Sequence, residues 1–139
     1  MTAVNECNMK ELFSSCRVIA VVGLSDDQNR PSYGVAAYLQ QAGYRIIPVN
    51  PSVPEILGEK SYASLLDIPE KVDVVDVFRK SEAVGPIAED AIAIGSKYLW
   101  FQEGVVNVEV AEIALNAGLQ VVMDRCILKE HRGLSGLGD

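Results

Sequence analysis

The chain has 139 residues, 49% apolar and 22% charged, the balance of a folded protein with one domain and a sizeable core. Its net charge of −7 argues against a nucleic-acid-binding protein, which carries a basic face, yet a few local donors can still hold a small anion. No apolar stretch nears the roughly 18–20 residues of a membrane span, and MTAVNECNMKELFSSC lacks the basic-then-apolar layout of a secretion signal, so a cytoplasmic location is expected. Cys7, Cys16 and Cys126 are too scattered for a disulfide framework, and with His131 the only histidine no zinc site is expected.

Residues 1–16 read as a short helix, with Met9, Leu12 and Phe13 on one side. From Arg17 the pattern alternates. RVIAVVG is a continuous β-branched run, as in a central parallel strand covered on both faces. Tyr33 to Ala42 reads as a helix, and YRIIPVN as a second strand. The loop-rich segment after Asn50 has room for a short edge strand near Lys60–Ala63 and a helical turn at Ser64–Ile68. VDVVDVF is the next strand, Ser81 to Ile94 a helix, and KYLWF a strand. Asn107 is the expected N-cap of a helix reaching Ala117, LQVVMD follows as a strand, and a last short helix starts near Cys126.

Three helix endings share one form, "QAGYRII", "AIGSKYLW" and "NAGLQVV", each with glycine where the backbone must turn left-handed before a strand. Strand and helix alternating through short links imply right-handed βαβ units. The expected fold is α/β: a Rossmann-like, doubly wound, mostly parallel five-stranded sheet of order 3-2-1-4-5 with helices on both faces.

Ligands of such sheets lie beyond the strand carboxyl ends, where the strand order reverses. Here that is between the strands ending at Val22 and Phe78. Gly23 permits a tight turn, Leu24 and Ser25 are expected to offer backbone N–H groups, and Pro31 suits a first helical turn. Arg30 can fork onto phosphate oxygens and the Ser32 hydroxyl can add a donor. The ligand does not read as NAD. Gly23 stands without the further glycines of a dinucleotide loop, and Asn50-Pro51 replaces the carboxylate that would bind ribose hydroxyls.

Taken in order, "VVGLSDDQNRPSYGVAAYLQQAGYRIIPVNP", "VDVVDVFR", "WFQEGV" and "VVMDRC" resemble the single-domain CoA-binding protein family. That family is similar to the CoA-binding domain of succinyl-CoA synthetases and acyl-CoA synthetases. The match covers about residues 15–135. The resemblance implies one CoA-binding domain over 1–139, made of an N-terminal helix at 1–16, a core at 17–130 and a short tail at 131–139. It implies coenzyme A, free or acylated, as the ligand. Gly23, Leu24, Ser25, Arg30 and Ser32 would meet the phosphates, and Asn50 and Pro51 would flank the adenosine. Phe78, Arg79 and Val84 would line the wall between nucleotide and pantetheine. Gln102, Gly104 and Val105 would follow the pantetheine arm, with Arg125 and Cys126 at the rim.

No catalytic set is expected. His131 falls in the tail, as an exposed or helix-ending residue, and Asp73 and Asp76 read as strand caps or partners of a lysine. Cys126, next to Arg125 and at a helix start, is the candidate nucleophile if the protein is instead a small thiol- or acyl-transfer enzyme. A further alternative is an NAD(P)-type redox-sensing domain. No nucleic acid or membrane partner is expected, and a homo-oligomer or partner protein is left open.

Overall fold

The computed structural model describes residues 3–138. Its strands are β1 (Val18–Val22), β2 (Arg45–Val49), β3 (Glu55–Ile56), β4 (Glu59–Lys60), β5 (Val74–Val77), β6 (Tyr98–Phe101) and β7 (Gln120–Met123). Its helices are α1 (Met9–Ser15), α2 (Pro31–Gln41), α3 (Val84–Ala93), α4 (Val108–Asn116) and α5 (Ile127–Gly138). Five strands form one parallel sheet in the order β2-β1-β5-β6-β7, and β3 and β4 form a separate antiparallel hairpin.

The class is the expected Rossmann-like one, with one adjustment at each edge. The edge strand expected near Lys60–Ala63 shrinks to a single parallel bridge, Val49 with Tyr62. The opposite edge extends as far as β7. Hydrogen bonding shows why the bridge stays short. Asn50 N–H donates to the Tyr62 carbonyl at 2.9 Å and Tyr62 N–H to Pro48 at 3.0 Å, but the chain then leaves for the Ser64-capped turn at Leu65–Asp67.

Both faces of the sheet are buried, which is why its strands read as unbroken apolar runs. Ile19, Val21, Val74, Trp100 and Val122 face one core, shared with α1, α2 and α5. Ala20, Val22, Val75, Val77, Leu99, Phe101 and Val121 face the other, shared with α3 and α4. The helix caps are as expected. Gly43, Gly95 and Gly118 have φ of +104°, +73° and +98°, and Asn107 Oδ1 accepts from Val110 N–H at 3.1 Å.

Both chain ends differ from the expectation. The first helix is confined to Met9–Ser15, because Asn8 caps it and Asn5 adopts φ +64°; residues 1 and 2 of the expected helix lie outside the described residues. Asn5 instead clips the N-terminal segment to the last strand, its amide bonding both Met123 main-chain groups at 2.7 and 3.1 Å. The segment expected as a tail from residue 131 is helical to Gly138 as part of α5, with Asp139 outside the described residues. His131 is therefore half-buried, not an exposed or end-capping residue. Its Nδ1 lies 2.8 Å from the Tyr38 hydroxyl, the rings of Phe13 and Tyr44 stand edge-on at 5.1 and 5.7 Å, and burial lowers its pKa.

Candidate functional site

The carboxyl ends of β1 and β5 open into a cleft of about 440 Å³ lined by Gly23, Ser25, Arg30, Pro31, Ser32, Asn50, Phe78 and Arg79. Seven of the fifteen expected binding residues meet there, and they arrive from three separate loops. Gly23 makes the approach possible. Its φ is +87°, and a Cβ on it would overlap the Phe78 carbonyl oxygen and lie 3.3 Å from Arg79 Nε. Only glycine lets β1 and β5 end this close together, with the Arg79 guanidinium drawn over the turn.

The loop between β1 and α2 is braced from within. Ser25 Oγ accepts from Asp27 N–H at 3.0 Å, and Asp27 Oδ1 accepts from Asn29 N–H at 2.9 Å. The Ser25 N–H is not free as expected, because it donates to the buried Ser32 hydroxyl at 3.0 Å. That leaves the Ser32 proton to donate elsewhere. Arg30 holds the N-cap position of α2, and no side chain caps the helix. An uncapped helix start and two guanidiniums at one cleft give it a positive local field that favours an anion. Among the described residues neither Arg30 nor Arg79 takes part in an ion pair, while the arginines at 45 and 125 do.

Asn50 is structural as well as cleft-lining. Its Nδ2 donates to the Leu24 carbonyl at 3.0 Å and its Oδ1 accepts from Ser52 N–H at 2.9 Å, tying the ends of β1 and β2 together. Leu24 itself is fully buried. Pro51 lies in an adjoining cleft of about 210 Å³ with Val22, Val49, Ala63, Ser64, Leu65, Arg79, Ile87 and Asp90. Arg79 lines both clefts and stands between them.

The remaining expected residues lie in neither cleft. Val84 is fully enclosed at the start of α3. Gln102 is buried, and its Oε1 accepts from Ile127 N–H at 3.0 Å, capping α5. Gly104 N–H donates to Asp124 Oδ1 at 2.7 Å, and Val105 N–H to the Gln102 carbonyl at 2.8 Å. The Arg125 guanidinium pairs with Glu130 at 3.3 Å, and its carbonyl accepts from Trp100 Nε1 at 2.8 Å. Cys126 is half-buried just before α5, where its carbonyl accepts from Glu130 N–H. No group of metal-binding side chains occurs among the described residues.

Sequence reasoning missed Ile87 and Asp90, which follow Val84 at three and six residues along one face of α3. It also misread Asp76. Asp73 is the strand cap, its Oδ2 accepting from Arg17 and Val18 N–H groups at 2.9 and 3.0 Å. Asp76 neither caps nor pairs with a lysine. It is fully buried with both oxygens unbonded, and burial pushes its carboxyl well above the usual range.

Comparison with known proteins identifies the family and the fold. The model of a family described as CoA binding domain matches residues 17–132. An uncharacterised Bacillus subtilis protein, YneT, is 41% identical over 91% of this chain and 94% of its own length. A hypothetical protein of Pyrococcus horikoshii superimposes with a TM-score of 0.90 at 37% identity, covering 98% of both chains. Acetate–CoA ligase (ADP-forming) II of Archaeoglobus fulgidus is 29% identical over 82% of this chain, which spans 19% of that enzyme's length.

Proposed function

The chain belongs to the CoA binding domain family, and from that premise we propose that it binds coenzyme A, free or acylated, at the carboxyl ends of β1 and β5. One observation carries the reading: Arg30 and Arg79, both without ion-pair partners among the described residues, converge with the uncapped start of α2 on one cleft beside Gly23. In an acidic chain, cations left unpaired at a strand-order reversal are where a polyanion gains most.

In this reading the diphosphate lies against Gly23 and the start of α2. Arg30 forks onto it, the Ser32 proton adds a donor, and Arg79 reaches it from the other side. The adjoining cleft suits the adenine ring. Val22, Val49, Leu65 and Ile87 give it apolar walls, and Ser64 and Asp90 give it polar partners. Pantetheine runs towards Gly104 and Val105, with Cys126 near its end. Gln102 then acts through α5, whose start it caps, and Val84 supports the wall from within. The protein works as a binding module without chemistry of its own, because among the described residues no nucleophile stands with an acid–base partner at the cleft.

Calorimetric titration with CoA, dephospho-CoA and NAD tests this. CoA should bind, and tighter binding than dephospho-CoA would show that the 3′-phosphate is read. Binding of NAD alone would overturn the proposal.

A further inference from the structure

Among the described residues, Asp76 is the buried side chain whose polar atoms neither the fold nor the proposed binding uses. A fully enclosed carboxyl with no hydrogen bond is destabilising, and a leucine or valine would serve the core better. Strand alternation fixes where it points. Val74 and Phe78 pack on the α1–α2–α5 side of the sheet, while Val75 and Val77 pack on the other. Asp76 therefore shares a face with Phe78 and stands one same-face step below it, roughly 6.6 Å along the strand. Phe78 lines the large cleft, and fully buried Leu24 lies beside Gly23 at the same level. Val21 of β1 and Trp100 of β6 are its register neighbours. The carboxyl is thus placed one same-face step from Phe78, a residue of the cleft lining.

We propose that Asp76 couples occupancy of this cleft to a proton held beneath it, so that the cleft accepts a diphosphate while the carboxyl is neutral and loses it when the carboxyl ionises. The proposal rests on the CoA reading above. Burial alone acts on Asp76, with no contribution from any charged neighbour. The titratable groups on the surrounding elements are otherwise placed. Arg30 and Arg79 are exposed at the mouth, Glu130 of α5 holds Arg125, and His131 meets Tyr38. Cys16 just after α1, Cys7 and Tyr98 of β6 are shifted upwards by their own burial, and Cys126 stands just before α5. An ionised Asp76 would thus be an uncompensated negative charge in a poorly screened interior, next to the cleft lining. The two anions disfavour one another, and the coupling is reciprocal: bound CoA holds the proton on, and removing the proton weakens CoA.

Trp100 is the chain's only tryptophan and is Asp76's register neighbour, so its fluorescence reports the carboxyl without any ligand. The test is a pH titration of Trp100 emission in wild type, Asp76→Asn and Asp76→Leu. Calorimetry with CoA and with inorganic pyrophosphate then covers the same pH range. Asparagine matches the neutral acid in shape and leucine needs no partner, so one folded variant suffices. Titration of the ligand's own phosphates is common to all three proteins and cancels in the ratio.

The expected result is an emission step above the ordinary carboxylate range in wild type alone. Above that midpoint wild-type affinity should fall by up to about tenfold per pH unit relative to the variants. No emission step, or a step with equal pH profiles of binding in wild type and variant, overturns the coupling while leaving CoA binding intact. Pyrophosphate bound with the expected pH pattern but no CoA overturns the CoA reading and upholds the coupling. Neither ligand bound at any pH overturns both.

Discussion

The carboxyl edge of the sheet has two halves that engage their arginines in opposite ways. Beyond β6 and β7, Gln102 caps α5, Gly104 bonds Asp124, Arg125 pairs with Glu130 and Lys129 with Glu103. Beyond β1 and β5, Arg30 and Arg79 are exposed, take part in no ion pair among the described residues, and face an uncapped helix start. The first half closes its arginine in an ion pair, and the second leaves both of its guanidiniums without one among the described residues. Residue type does not separate them, since each half offers an arginine, a glycine and an amide, and Gly23 and Asn50 are hydrogen-bonded within the fold just as Gly104 and Gln102 are; the ion pairing of the arginines does.

The sharpest way to break this contrast is at Gly23. Gly23→Ala must force a side chain into the Phe78 carbonyl at a left-handed φ, and should cost about 2–4 kcal/mol of stability with loss of CoA binding. Thermal melting and calorimetry check both, and an unchanged affinity would mean the turn does not meet the ligand. Next come the cations. Arg30→Ala and Arg79→Ala should each cost about 1.5–3 kcal/mol of CoA binding while leaving the melting point nearly unchanged. Arg125→Ala, drawn from the ion-paired half, should change affinity less than about threefold, and equal losses at all three positions would erase the distinction.

A third effect depends on pH. The folded value of Asp76 lies above its unfolded one, so its proton favours the folded chain. That contribution is complete below the ordinary carboxylate range and is lost as pH rises through the folded value. Wild type should lose stability against Asp76→Asn by up to about 1.4 kcal/mol per pH unit in that window. Denaturant melts at several pH values measure it, and parallel curves would contradict the burial. The smallest effect is expected from Gln102→Ala. Stability should fall by about 1–2 kcal/mol through the lost cap of Ile127, with CoA affinity of the folded protein little altered.

Much of this molecule was legible in the chain. Period-two burial on both faces gave apolar runs such as RVIAVVG, and Gly43, Gly95 and Gly118 marked the helix ends. The loop from Gly23 to Ser32 was also readable, because a turn, a proline at the first helical position and an arginine are local chemistry. Other features depended on distant partners. His131 looked like a tail residue until α5 laid it against Phe13, Tyr38 and Tyr44. Asp73 and Asp76 looked alike in VDVVDVF, but one stands where β1 offers N–H groups and the other is enclosed with no hydrogen-bond partner.

What the sequence determined by itself was the order of elements, the two-faced sheet and the glycine turn after β1, since these follow from periodicity and backbone preference within a few residues. Which polar groups remain available was decided only by tertiary structure. A hydrogen bond such as Gln102 to Ile127 or Asn50 to Leu24 joins residues about 25 apart in the chain, and no local pattern records whether it forms.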